Sequence, residues 1–140
     1  MAILNIKAID QAKQKITTRR AAGDAAEQQA LDFLLAQGLT LIARNVQCKV
    51  GELDIIMQDG QSLVFVEVKL RSSSHFGGAL SSVTFAKTTR LKRAAQWYLM
   101  SQFGQRSWPP CRFDVVAWDG TSDGKSDGPS LTWIKNALDG

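Results

Sequence analysis

The chain has 140 residues, 44% of them hydrophobic, and 17 Lys and Arg against 13 Asp and Glu, so one domain with a real core and a modest bias toward polyanions (net charge +4) is expected. Cys48 and Cys111 lack a C-x-x-C spacing and His75 is the only histidine, which excludes a four-ligand zinc site built from those residue types alone. Lys7, Asp10, Lys13 and Lys15 interrupt every early apolar run, so neither a secretory signal nor a membrane span is expected, and the thiols read as reduced and cytoplasmic.

Residues 1–18 read as an N-terminal extension in which Ile3, Leu4, Ile6 and Ile9 are apolar. From Arg19 the chain turns rich in Ala, Leu and Gln, which predicts a helix ended by Gly38 in the left-handed conformation. Ala26, Ala30, Phe33, Leu34 and Gln37 mark one side of it. Glu27 falls with Ala30, Leu31 and Leu34 on the flank of that face, pointing along the sheet surface. Leu39 to Lys49 predicts a first strand, whose polar residues suggest an edge or a bend.

Gly51 to Arg71 predicts a β-hairpin. Both arms are rich in Val, Ile, Leu and Phe, and Asp59-Gly60 suits a two-residue turn. Centring the turn there sets Asp54 opposite Phe65 and Glu52 opposite Glu67. Alternation then gives one face to Glu52, Asp54, Glu67 and Lys69 along with Ile56, Leu63 and Phe65, and the other to Leu53, Ile55, Met57, Val64, Val66 and Val68. Asp54 and Glu67 become diagonal neighbours whose oxygens can meet. Carboxylates crowded on a covered face repel one another and lose hydration, so a positive charge belongs among them. Lys69 is one candidate and a divalent ion the other, because Mg²⁺ accepts one or two carboxylates with water and phosphate oxygens completing its shell.

A Ser- and Gly-rich loop follows at 71–82, of a kind that often closes over a site. Val83 to Phe103 predicts the second helix, with Leu91, Ala94, Ala95, Tyr98 and Leu99 as its apolar stripe and Lys87, Arg90, Lys92 and Arg93 crowding its first half. Arg112 to Trp118 predicts a strand, 119–128 a polar linker, and Leu131 to Ile134 a last short strand. The expected order is α-β-β-β-α-β-β: an α/β domain with a mixed sheet flanked by helices, strands 62–70 and 112–118 lying parallel and adjacent across the helical connection.

Asp54 followed after twelve residues by Glu67-Val68-Lys69 resembles the D-x(n)-E-x-K signature of the PD-(D/E)XK nuclease superfamily, the restriction-endonuclease-like fold, without the proline usual before the first acid. Gly51-Glu52-Leu53-Asp54, Phe65-Val66-Glu67-Val68-Lys69-x-Arg71, Phe76-Gly77, Lys87 and Arg112-Phe113-Asp114 are similar to the YraN-like family of small bacterial proteins, itself similar in fold to archaeal Holliday junction resolvases. The resemblance covers residues 19–137. Glu27, in Gly23-x-x-Ala26-Glu27-x-x-Ala30, matches the helix acid of this group, with Ala26 where glycine is common.

The resemblance implies a metal-dependent phosphodiesterase, an endonuclease acting on structured or branched DNA. Asp54 and Glu67 would hold Mg²⁺ (Mn²⁺ as an alternative), Glu27 would support the metal through water, Glu52 would assist, and Lys69 would polarise the attacking water. Arg71, Lys87, Arg90 and Arg93 would track phosphates. A homodimer suits symmetric cutting of two strands. Each assignment has a plainer rival: a strand-face salt bridge for Asp54, Glu67 and Lys69, a surface acid for Glu27, a turn residue for Glu52, and a solvated helix face for the basic run. His75 lies outside the motif, Asp114 reads as structural, and Trp97, Trp108, Trp118 and Trp133 read as core or interface. The rival functions are a nucleic-acid-binding module without turnover and an adaptor in a larger complex.

Overall fold

The computed structural model describes residues 23–71, 85–119 and 130–137. The extension at 1–18, the loop with His75 and the linker centred on 120–128 lie outside the described residues, as does the Arg71 side chain. Helix α1 spans 23–36, followed by strands β1 (Thr40–Cys48), β2 (Gly51–Asp59) and β3 (Ser62–Arg71), helix α2 (Phe85–Phe103), and strands β4 (Cys111–Asp119) and β5 (Ser130–Ile134). The five strands form one sheet in sequence order. All neighbours are antiparallel except β3 and β4, which run parallel, as a helical connection between adjacent strands requires. This is the mixed α/β sheet of the restriction-endonuclease-like fold.

The helices cover opposite faces. Ala30, Leu31 and Leu34 of α1 pack with Ile55, Met57, Val64, Val66 and Val116. On the other face, Leu91, Ala94, Ala95, Tyr98 and Leu99 of α2 pack with Ile56, Leu63 and Phe65. The α2 stripe is the one predicted; in α1, Ala26, Ala30 and Leu34 are buried as predicted, Leu31 joins them from the flank, Phe33 is partly buried and Gln37 is exposed. Gly38, at φ +101°, ends α1 with Leu39 N–H donating to Leu34 O and Gly38 N–H to Leu35 O, the paired bonds of a Schellman cap. Trp118 Nε1 donates to Ala26 O, and Phe33 meets Trp133 edge-on at 5.9 Å, which fixes α1 to the far side of the sheet.

Two details of the hairpin differ from expectation. Asp59 pairs with Ser62, so the turn centres on Gly60-Gln61 and Ile56, not Asp54, lies opposite Phe65. Gly60 alone takes a positive φ (+61°), as a II′ turn needs at its first central position, whereas the Asp59-Gly60 reading required positive φ at both. Asp59 is held in the strand by Arg112, whose Nη2 reaches its Oδ2 at 2.9 Å, a long-range contact that no local pattern shows. The second difference is Leu53, which packs in the α2 cluster with Ile56 while Ile55 packs in the α1 cluster. Alternation therefore slips at Asp54.

The slip has a counterpart in β1. The partners Arg44↔Ile55 and Val46↔Leu53 flank Asn45, which takes φ +52° and has no recorded bridge. Asparagine tolerates that conformation better than most side chains. A further register shift falls between Leu41 and Ala43. The first strand is thus both the edge and the bend that its polar residues suggested.

Asp114 is fully buried and structural. It accepts from Arg112 Nε, Trp133 Nε1 and Asn136 N–H at 3.0 Å each, tying β4 to β5 and the turn after it.

Candidate functional site

The chain's acids gather where β2 slips. Asp54 Oδ2 accepts the N–H of Val68 at 3.0 Å, and the Asp54 and Glu67 carboxyls lie beside one another along one narrow crevice. Burial, and after it the charge of Glu67, pushes the Asp54 carboxyl from 3.8 up to about 8, with the Val68 N–H pulling the other way.

Glu67 is itself engaged from the opposite direction. Its Oε1 meets Lys69 Nζ at 3.1 Å and Lys87 Nζ at 3.2 Å, the first from its own strand and the second from α2. Lys69 is as buried as Glu67, while Lys87 is 37% exposed at its side chain. The salt bridge expected as a rival reading is therefore present between Lys69 and Glu67, beside the Asp54 carboxyl.

Glu27 reaches the same cluster from α1. Its pKa is raised, first by burial and then by Asp24, Glu52 and Glu67, with Arg44 opposing. Asn45, which the sequence reading passed over, joins the acids. With its amide assigned nitrogen-inward, Asn45 donates to Glu27 Oε1 and Glu52 Oε1, both at 3.1 Å. The one available signal was an asparagine in mid-strand next to Arg44, a residue type suited to a left-handed kink.

Glu52 divides two recesses. On the α1 side, one of about 380 Å³ is lined by Asp24, Glu27, Asn45, Gln47 and Glu52. On the α2 side, a smaller one of about 120 Å³ is lined by Glu52, Glu67, Lys87, Arg90 and Leu91. Lys87 and Arg90 thus stand at the acids. Arg93 does not: it lines a separate groove with Trp97 and Trp108. Arg71 occupies the end of β3, paired with Asp119 of β4.

The donor set suits a hard divalent ion. It offers the carboxylate oxygens of Asp54 and Glu67 in one crevice and, beside Glu67, an open recess for water and phosphate oxygens. Among the described residues no group of three or more His, Cys, Asp or Glu side chains is placed to hold a metal ion. An ion that keeps much of its own shell could be held by Asp54 and Glu67, with Glu27 behind them.

No helix among the described residues is long and apolar enough to cross a membrane. Residues 26–118 match the model of the Uncharacterised protein family UPF0102. A UPF0102 protein of Janthinobacterium sp. (strain Marseille) is 49% identical over 123 residues, 88% of this chain and 91% of the relative. One from Nitrosospira multiformis is 44% identical over 122 residues, 87% and 96% of the two chains. Another from Pseudomonas putida (strain W619) is 48% identical over 120 residues, 84% and 93%. The matched stretch takes in Glu27, Asp54, Glu67, Lys69 and Lys87, so the YraN-like resemblance read from those residues is borne out, and the chain belongs to the UPF0102 family.

Proposed function

We propose that this protein is a metal-dependent endonuclease of structured or branched DNA, with Asp54 and Glu67 holding Mg²⁺ or Mn²⁺. The observation that carries the reading is the juxtaposition of two half-buried acids, Asp54 of β2 with its pKa raised to about 8 and Glu67 of β3, the strand that also carries Lys69. A bound divalent ion supplies charge neutralisation at the phosphate and a water that is acidic enough to attack near neutral pH.

The chain's own residues do the rest. Val68 N–H fixes one oxygen of Asp54, and the other oxygen would serve the metal. Lys69, buried against Glu67, holds a positive charge beside the position of the attacking water and stabilises charge that develops on the phosphate. Lys87 and Arg90, at the mouth of the α2 recess, take the neighbouring phosphates. Glu27, fixed by Asn45, orients water on the α1 side.

A second reading is favoured by a specific feature. Glu67 already has two lysine partners, so the same residues form a satisfied ion-pair network in a nucleic-acid-binding module without turnover. Cleavage assays over single-stranded, duplex, flap and four-way DNA, with Mg²⁺, with Mn²⁺ and with EDTA, separate the two. Metal-dependent scission abolished in Glu67→Ala supports the nuclease; tight binding with no scission in any arm supports the module. A homodimer positioned to cut both strands is part of the first reading, and sedimentation of the protein with and without a four-way junction tests it.

A further inference from the structure

We infer that the groove between α2 and the β1–β2 turn is a stacking platform for single-stranded DNA leading away from the carboxylate site. The inference rests on the nucleic-acid reading above and names the part of the substrate that this face receives.

The four tryptophans divide into two pairs. Trp118 and Trp133 are partly buried and bonded into the sheet. Trp97 and Trp108 are 48% and 40% exposed and face one groove of about 790 Å³ with Lys49, Val50, Arg93 and Met100. An exposed indole is costly to leave in water, and two of them sharing a concavity mark a binding surface. The platform is also preorganised. Trp108 Nε1 donates to Gly104 O at 3.0 Å, and the segment after it is pinned by Leu63 N–H donating to Pro110 O at 2.8 Å. With its only donor already satisfied, the Trp108 ring offers a π surface and not a hydrogen bond.

Charge selects the occupant. The charged groups lining the groove are Lys49 and Arg93, and α2 carries no acid anywhere in its length while Arg90, Lys92 and Arg93 stand exposed on it. A second copy docked across a two-fold axis would set these cations against their own images, which opposes self-association through this face. A polyanion that carries flat apolar rings satisfies both halves of the surface: its phosphates meet the cations and its bases stack on indole.

The groove is continuous with the site. Val50 lines the groove and Gly51, the next residue, lines the recess of Glu67. On α2 the same succession runs from Lys87 and Arg90 at the recess to Arg93 and Trp97 in the groove, about 15 Å along the helix at 1.5 Å per residue. A strand whose phosphate lies at Glu67 can therefore continue along α2 with a few unpaired bases over the tryptophans.

The test is equilibrium binding of a labelled oligothymidylate and of an abasic oligonucleotide with the same number of phosphates, for the unmodified protein, Trp97→Ala, Trp108→Ala and Trp97→Phe. The alanine variants should each weaken oligothymidylate binding about 10-fold, with the slope against salt unchanged, and Trp97→Phe should recover most of the loss. The abasic strand should bind all four proteins alike. Equal loss on both strands, no loss on either, no oligothymidylate binding by the unmodified protein, or a change in self-association as the sole effect would each overturn the inference. The carboxylate reading is scored separately by the Mn²⁺-induced shift in melting temperature of the same proteins. A platform that fails beside an intact metal response is thereby distinguished from a site that fails altogether.

Discussion

The backbone N–H of Val68 is satisfied by the side chain of Asp54, at 3.0 Å, where the recorded pairing of β2 with β3 stops at Ile55↔Val66. One oxygen of this acid is structural, and the Glu67 carboxyl lies nearby in the same crevice. Asp54→Asn keeps the acceptor for Val68 and puts an amide donor against Glu67, so the metal-free protein should be stabilised by ~0.5–2 kcal/mol. Asp54→Ala removes the acceptor and should destabilise by ~1–3 kcal/mol. Denaturant melts in EDTA give both values; a destabilised Asp54→Asn protein would reduce the cluster to an ordinary salt bridge.

The raised pKa of Asp54 fixes the sign of a pH effect. The folded state holds a proton up to about 8 that the unfolded state releases near 3.8, so between those values the folded state binds more protons. Metal-free stability should therefore be greatest at the acid end of this window and decline as pH rises toward 8. Stabilisation by millimolar Mn²⁺ should run the opposite way, growing with pH because the ion competes with the proton. At 100 times Kd the gain is about 2.7 kcal/mol, and Asp54→Asn should lose most of it. Melting temperatures at several pH values, with EDTA and with Mn²⁺, check both slopes.

Where scission occurs, Asp54→Ala and Glu67→Ala should abolish it, and Lys69→Ala should lower the rate by ~10²-fold or more while DNA still binds. Single-turnover rates alongside equilibrium binding make the distinction. Full activity in Glu67→Ala would remove Glu67 from the chemistry.

Binding to DNA should weaken with salt, and replacing both Lys87 and Arg90 by alanine should reduce the log–log slope by about one to two units, roughly 0.9 per lost phosphate contact on duplex. A slope unchanged in the double variant would take the mouth of the α2 recess out of the binding surface.

Asn45 combines a backbone role with a side-chain role, and two substitutions separate them. Asn45→Gly keeps access to φ +52° and loses the bonds to Glu27 and Glu52, so it should fold with little loss yet blunt the metal response. Asn45→Val loses both and should cost ~1–3 kcal/mol in addition. Comparing their melts with and without Mn²⁺ tests the division.

The legible parts of this molecule were those where one local rule acts without interruption. In β3 the alternation of Leu63, Phe65, Glu67 and Lys69 against Val64, Val66 and Val68 is unbroken, and the faces came out as read. On α2 the stripe from Leu91 to Leu99 needed only the helical period. The misreadings sit where a distant contact overrides the local signal. Arg112 holds Asp59 in its strand and moves the turn by one residue, and the kink at Asn45 accompanies the passage of Leu53 to the other face. Lys87, Arg90 and Arg93 lie close in sequence, yet a helix turns about 100° per residue, which sets Arg93 along the tryptophan groove while Lys87 and Arg90 line the recess at Glu67.

The bent edge strand has a consequence for how this chain behaves among its own copies. β1 exposes Leu41 and Ile42, an apolar pair on the open side of the sheet, where a flat strand would be a template for another chain's strand to add. The register shift between Leu41 and Ala43 and the left-handed Asn45 interrupt the row of free backbone groups on either side of that pair. The irregularity that delivers an amide to the acids also keeps the edge from seeding aggregates, so a substitution that straightened β1 would be expected to disarm the site and make the protein sticky at once.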